Sequence, residues 1–254
     1  MMNLLAIDIG NTNITAGVFN GARLLSKAKV PTSSYSSYIR RFKALIKEAG
    51  LEVGKMDEAI VSSVVPLALA RLVVELRRMS GTVNVTIIGR DLKVPIKNMY
   101  RVKSEVGQDR LVSAYAAKVM YGAPAVIIDF GTAVTFDIIS KRGDYLGGLI
   151  TPGIELSLSS LYRNTALLPK VELACTSSII GKDTVNSMRG GILFGLGAMC
   201  DGLVTQYKKI LGSSTKVIAT GGNAKLIKKY AGSIRYIDED LTLKGLQLIS
   251  ALSK

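Results

Sequence analysis

The 254-residue sequence predicts an α/β chain made of two similar domains. Three observations predict it. A strand, an Asp-x-Gly turn and a returning strand occur at Leu4 to Phe19 and again at Ala125 to Ile139, with the two aspartates 121 positions apart; repetition of a whole supersecondary unit at that separation is the mark of paired domains. Strand-like and helix-like apolar patterns alternate through both halves, as layered α/β domains require. The length suits two cores of about 120 residues each, divided as 1–121 and 122–254 with the boundary near Tyr121 to Pro124.

Leu4 to Ile9 reads as a strand running into Asp8-Ile9-Gly10-Asn11-Thr12-Asn13, and Ile14 to Phe19 reads as its return. Residues 38–49 place Ile39, Phe42, Leu45, Ile46 and Ala49 on one helical stripe. Ala59 to Val64 reads as a strand, Pro66 to Met79 as a helix opened by its proline, and Val83 to Ile88 as another strand. Leu111 to Met120 is helical in pattern. Ala125 to Ile128 leads into Asp129-Phe130-Gly131-Thr132-Ala133, followed by the strand Val134 to Ile139. Thr184 to Leu211 is a long helical stretch rich in small residues, and Val217 to Thr220 is a strand stopped by Gly221-Gly222 before a helix from Asn223 to Tyr230.

Composition removes several function classes. Histidine is absent, which excludes Ser/His/Asp and Cys/His triads and leaves carboxylates as the acid/base groups. Cys175 and Cys200 lack metal-ligand or disulfide-framework spacing and read as buried free thiols, with no structural zinc. No apolar run reaches 18 residues and no signal-peptide start is visible, so a soluble cytoplasmic protein without a membrane partner is expected. The net charge of +14 raises the question of nucleic acid. Yet residues 1–120 hold 18 Lys and Arg against 9 Asp and Glu, and the rest 15 against 10, with no dense basic tract. Pairs such as Arg40/Arg41, Arg77/Arg78 and Lys228/Lys229 fit solvated helix faces, and the excess suits steering of anionic substrates.

Five segments could carry chemistry. No P-loop exists, because Gly181-Lys182-Asp183-Thr184 lacks the upstream glycine and the hydroxyl directly after lysine; Gly195-x-Gly197 lacks the third glycine and the preceding strand of a dinucleotide fingerprint. Its glycines suit close helix packing. In an Asp-x-Gly turn, glycine allows a backbone tight enough to present amide donors to phosphate oxygens, and the carboxylate at the strand end can hold a hydrated Mg²⁺ or another cation. One such turn is a common hairpin; two in matching contexts could grip one polyphosphate. Gly107-Gln108-Asp109-Arg110 places an acid beside an arginine at a helix start. That is either an ordinary first-turn carboxylate favoured by the helix dipole or a general base beside a guanidinium suited to a carboxylate or phosphate. Spacing leaves both open. Gly147-Gly148-Leu149-Ile150-Thr151-Pro152-Gly153 and Thr220-Gly221-Gly222-Asn223-Ala224 let backbone approach a ligand, and plain structural turns would look similar.

Together these ordered segments resemble the superfamily of acetate and sugar kinases, heat-shock chaperones and actin, and more closely the type III pantothenate kinases, over nearly the whole chain. The family's first phosphate motif is matched by Asp8 to Asn13, its Gly-x-Asp-Arg by Gly107 to Arg110, its Asp-x-Gly-Thr-Ala by Asp129 to Ala133, its Gly-Gly-x-Ile-x-Pro-Gly closely by Gly147 to Gly153, and its Gly-Gly-x-Ala by Gly221 to Ala224. The resemblance implies two actin-like (ribonuclease H-like) domains facing each other across an active-site cleft. It implies ATP-dependent phosphorylation of pantothenate to 4′-phosphopantothenate, the first step of coenzyme A biosynthesis. Asp109 would accept the proton of the 4′-hydroxyl, with Tyr100, Gly107, Gln108, Arg110 and Thr184 shaping the pantothenate pocket. Asp8, Ile9, Gly10, Asn11, Thr12, Asn13, Ile14, Thr15 and Thr132 would contact ATP. Asp129 would ligate a monovalent cation, K⁺ or NH₄⁺, needed in addition to Mg²⁺. A homodimer with the substrate pocket near the subunit interface is implied, with no nucleic-acid partner. The rival expectations are another small-molecule kinase of the superfamily, which would not need Gly107 to Arg110, and a nucleic-acid-binding regulator on the same fold.

Overall fold

The computed structural model describes residues 1–34, 38–79 and 83–253. It divides into two compact units, Met1–Ile96 with Arg101–Ala116 and Leu241–Lys254, and Lys97–Tyr100 with Ala117–Asp240.

The first unit is built on a five-stranded sheet of β1 (Asn3–Ile9), β2 (Asn13–Asn20), β3 (Arg23–Pro31), β4 (Glu58–Ser63) and β5 (Asn84–Ile87), in the order β3-β2-β1-β4-β5. The first three strands form an antiparallel meander, while β4 and β5 run parallel to β1 and need helical crossovers, α1 (Tyr38–Glu48) before β4 and α2 (Pro66–Met79) before β5. The apolar stripe Phe42, Leu45 and Ile46 of α1 and Ala68, Leu72 and Leu76 of α2 join Leu5, Ile7 and Ile9 in one core. Strand alternation sends Leu4, Ala6 and Asp8 to the other face. That face is covered by α7 (Leu241–Leu252), whose Leu243 reaches within 3.0 Å of the place a Gly17 Cβ would occupy. In turn α7 crosses α3 (Gln108–Tyr121), where a Cβ on Gly245 would lie 2.6 Å from the Val112 carbonyl. Ser250 donates to the buried Glu58 carboxylate at 2.6 Å, tying the helix to β4.

The second unit repeats the plan. Its sheet runs β10-β9-β6-β7-β8, from β6 (Ala125–Phe130), β7 (Ala133–Ile139), β8 (Tyr145–Pro152), β9 (Lys216–Thr220) and β10 (Tyr236–Ile237). Again three antiparallel strands are followed by two parallel ones, so β6, β7, β8, β9 and β10 are the counterparts of β1 to β5. One face is covered by α4 (Ile154–Arg163), α5 (Thr184–Leu211) and α6 (Ala224–Ile227), whose Ile154, Leu158, Leu193, Cys200, Val204 and Ile227 bury Val126, Ile128 and Phe130. Residues 97–100 add to the open edge: Tyr145 N–H donates to Lys97 O at 2.9 Å and Met99 N–H to Tyr145 O at 2.8 Å.

The division differs from a cut at residue 121 in three places. The last turn of α3 and Tyr100 lie with the second unit, and α7 lies with the first, because its apolar side is complementary to the exposed face of the first sheet rather than to the second. Helix α6 is one turn rather than the eight residues expected. Cys200 is buried as expected, whereas Cys175 is exposed, since it lies in the irregular segment before α5 rather than on an apolar helix face. Gly197 does serve close packing, with a Cβ there falling 2.2 Å from the Tyr230 carbonyl, but Gly195 faces open space. Among the described residues no helix is long and apolar enough to cross a membrane.

Candidate active site

The first turn sits where β1 and β2 separate. Asp8 is paired with Thr15 across the antiparallel ladder and with Ser62 across the parallel one, which fixes its carboxylate at the carboxyl end of two strands. Gly10 N–H donates to Asn13 O at 2.9 Å, closing a three-residue connection in which Asn11 and Thr12 are exposed. Ile9 and Ile14, by contrast, are core side chains with no exposure, so they could meet a ligand through backbone alone.

Gly107 to Arg110 belongs to the same unit and is its neighbour. A Cβ on Gly107 would lie 3.3 Å from Val64 Cγ1, and Val64 N–H donates to Ile9 O at 3.1 Å, so one residue joins the two segments. The same Cβ would fall 2.4 Å from Asp109 Oδ1. Glycine is therefore required for the carboxylate to fold back over the helix start. Arg110 N–H donates to that oxygen at 2.8 Å. Burial raises the Asp109 carboxyl above the ordinary aspartate range, opposed by this N–H and by the Arg110 charge. Gln108 lies over the turn after β5, where Gly89 has φ +85° and a Cβ would stand 2.8 Å from the Gln108 amide carbon.

The second unit reproduces the aspartate's setting. Asp129 pairs with Thr135 and with Thr220, as Asp8 does with Thr15 and Ser62. Gly131 N–H donates to Ala133 O at 3.2 Å across a connection one residue shorter than the first. Gly221, at φ +86°, brings the turn after β9 so close that a Cβ would lie 2.3 Å from Asp129 Oδ1. Thr132 is exposed, and its carbonyl accepts Gly153 N–H at 3.0 Å. Tyr100 rests on the backbone of Gly147, whose Cβ would be 3.1 Å from its ring. Thr184 opens α5 after the N-cap Asp183 and is exposed. It borders a shallow, open depression of about 340 Å³ lined by Leu161, Leu168, Met188 and Ile192, with Ser187 beside it.

One unit thus holds Asp8 to Thr15 with Gly107 to Arg110, and the other holds Tyr100, Asp129, Thr132 and Thr184. Residues 4–206 match the family model of the type III pantothenate kinases. The chain belongs to the type III pantothenate kinase family. A type III pantothenate kinase of Anaeromyxobacter sp. (strain K) is 41% identical over 249 residues, covering 97% of this chain and 98% of the relative. The fold is that of a Campylobacter jejuni protein described as a Baf family transcriptional activator, at 20% identity, TM-score 0.60 and 98% coverage of both chains. It is also that of an inorganic polyphosphate/ATP-glucomannokinase from Arthrobacter sp. strain KM, at 15% identity, TM-score 0.52 and full coverage of both. These two likenesses establish the two-domain actin-like architecture.

A kinase family implies ATP and a divalent metal, and the donor set fits them. Among the described residues no three His, Cys, Asp or Glu side chains converge as a protein cage. Single carboxylates at phosphate-sized glycine turns suit Mg²⁺, which keeps waters and is shared with substrate phosphates. Two polar features have no motif to announce them. Thr32, buried at 5% exposure, bonds the first turn through its side chain and its backbone. Asp137, also buried, accepts from Tyr145 O–H at 2.8 Å and Thr135 O–H at 3.0 Å; its counterpart in the first unit is Gly17, so no repeat pattern points to it.

Proposed function

We infer that the chain transfers the γ-phosphoryl of ATP to the 4′-hydroxyl of pantothenate, giving ADP and 4′-phosphopantothenate at the entry to coenzyme A synthesis. The observation that carries the reading is Asp109. It is a carboxylate raised by burial, turned back over Gly107 and pinned at one oxygen by Arg110 N–H. A raised carboxylate is a better proton acceptor, and a pinned one loses little entropy on meeting the substrate. The 4′-oxygen forms its bond to the γ-phosphorus as the bond to the β–γ bridging oxygen breaks; the hydroxyl proton passes to Asp109. Arg110 supports the reading as the partner of the substrate carboxylate, with Tyr100, Gly107, Gln108 and Thr184 as the remaining pocket residues.

ATP is assigned to Asp8 through Thr15 and to Thr132. When bound, Mg²⁺ supplies neutralisation of the phosphate charge, with Asp8 as the residue to hold its waters. Asp129 is assigned to a monovalent cation, K⁺ or NH₄⁺, supported by its place beneath the Gly221 turn. Phosphoryl transfer asks mainly for positioning and charge stabilisation, so this set suffices without histidine.

We further propose a cytoplasmic homodimer. The dimer is supported by several large apolar side chains left exposed on the second unit, Ile150 at 64%, Leu167 at 91%, Ile179 at 73% and Ile180 at 71%. A coupled ADP-release assay with pantothenate, glucose, N-acetylmannosamine and acetate as acceptors tests the function. Turnover confined to pantothenate is expected; a preference for a sugar or acetate, or no turnover with any acceptor, would overturn it.

A further inference from the structure

We propose that Thr32 is a positioning residue that aims the first phosphate turn. Thr32 follows directly on β3 and holds the turn at both ends. Its Oγ1–H donates to Gly10 O at 2.7 Å, and its N–H donates to Thr12 O at 2.9 Å. Tyr38, itself buried, donates its O–H to Thr32 O, so the strap is anchored from behind by α1. In a planar trans peptide the carbonyl and the following N–H point opposite ways. Holding the Gly10 carbonyl toward Thr32 therefore turns Asn11 N–H to the exposed side of the turn, where an anionic ligand could accept it.

The internal repeat supplies an independent comparison. Asn13 is register-paired with Pro31, and Ala133 with Pro152, so Pro31-Thr32 and Pro152-Gly153 are counterparts. Gly153 N–H donates to Thr132 O at 3.0 Å as Thr32 N–H does to Thr12 O. The second strap has no room for a side chain, since a Cβ there would lie 2.3 Å from Thr132 O and 2.5 Å from Gly131 O. The first turn is one residue longer and stands further off, and the threonine hydroxyl spans the difference. Both repeats thus set their turn by the residue after the third strand's proline.

The proposal rests on reading Asp8 to Thr15 as the nucleotide site, and the test separates the two. Thr32→Val keeps the β-branched shape and deletes the donor; Thr32→Ser restores it. Titration calorimetry with Mg²⁺ and the β,γ-imido analogue of ATP is run beside steady-state kinetics on the full chain. Thr32→Val is expected to weaken analogue binding and raise KM for ATP about five- to tenfold, the scale of one hydrogen bond, with KM for pantothenate within about twofold. Thr32→Ser should match the parent, and Tyr38→Phe should move the same two constants in the same direction. Equal losses for both substrates, or a serine variant as weak as valine, would mean general loosening and overturn the proposal. Asp8→Asn is the control. If it weakens analogue binding while Thr32→Val and Tyr38→Phe do not, the strap alone is refuted; if none of the three matters, the nucleotide reading falls and the strap with it.

Discussion

A methyl group at Gly221 should destabilise the second unit by about 2–5 kcal/mol. Two terms make that figure. At φ +86° an alanine enters the left-handed region at a cost of about 1–2 kcal/mol. Its Cβ would also lie 2.3 Å from Asp129 Oδ1 and 2.8 Å from the Phe130 backbone, and relief of such overlap typically costs about 1–3 kcal/mol. The flexible partner is the Asp129 carboxylate, since Phe130 is held in β6; Asp129 must therefore move from its position under the turn. Gly202→Ala is the matched control, because Gly202 lies inside α5 and the added methyl would meet nothing within 4 Å beyond its chain neighbours and the local helix backbone, and alanine there should stabilise by about 0.5–1 kcal/mol. In calorimetric melts at fixed protein concentration, these terms correspond to a fall of about 5–15 °C for Gly221→Ala and a rise of about 1–4 °C for Gly202→Ala. A Gly221→Ala melt within about 1 °C of the parent would refute the close approach on which the placement of Asp129 depends.

Asp109 makes both activity and stability depend on pH. Burial raises its carboxyl, so the acid limb of the kcat profile should lie above the ordinary aspartate value of about 3.9 and vanish in Asp109→Asn. A native carboxyl raised above its unfolded value contributes stability that is complete below the unfolded value and lost as pH rises through the native one. Above that native value the ionised group is thus a cost, and Asp109→Asn should there melt no lower than the parent; a lower melt would contradict the sign. Replacing K⁺ with Na⁺ at fixed ionic strength should depress turnover, an effect abolished in Asp129→Asn, and equal rates in the two salts would remove the cation assignment. Activity per protomer should fall on dilution if the pocket is completed by a partner. A species of 27.1 kDa in light scattering with full specific activity would contradict the dimer.

The halves of the fold differ in how openly the sequence declares them. The Asp-x-Gly turns are legible because a tight strand connection demands glycine and the demand is met twice; Pro66–Met79 is announced by its opening proline and Thr184–Leu211 by its long helical pattern. Strand β3 is obscure because it is an edge: Leu24, Leu25 and Ser26 are all only half-buried, so its first half does not alternate, and only Ala28 and Val30 of the strand are buried. The destination of α7 cannot be read locally, since it is decided by Gly17 and Gly245, more than 200 residues apart, each accepting a neighbour that a methyl would exclude. In the candidate site the sequence marks backbone-shaped positions, Gly10, Gly107, Gly131 and Gly221, better than side chains. It therefore includes Ile9 and Ile14, which lie in the core, and passes over Thr32 and Asp137, whose roles rest on hydrogen bonds to partners distant in sequence.

This chain is expected to form 4′-phosphopantothenate with Asp109 as the proton acceptor. Phosphorus NMR of ATP, Mg²⁺, K⁺ and pantothenate incubated with the parent chain and with Asp109→Asn tests it directly. A phosphate-monoester resonance should grow in step with ADP for the parent, with a rate lower by about 10² or more for Asp109→Asn and unchanged binding of the β,γ-imido analogue in that variant. Release of inorganic phosphate without the monoester, or near-parental turnover by Asp109→Asn, would contradict it.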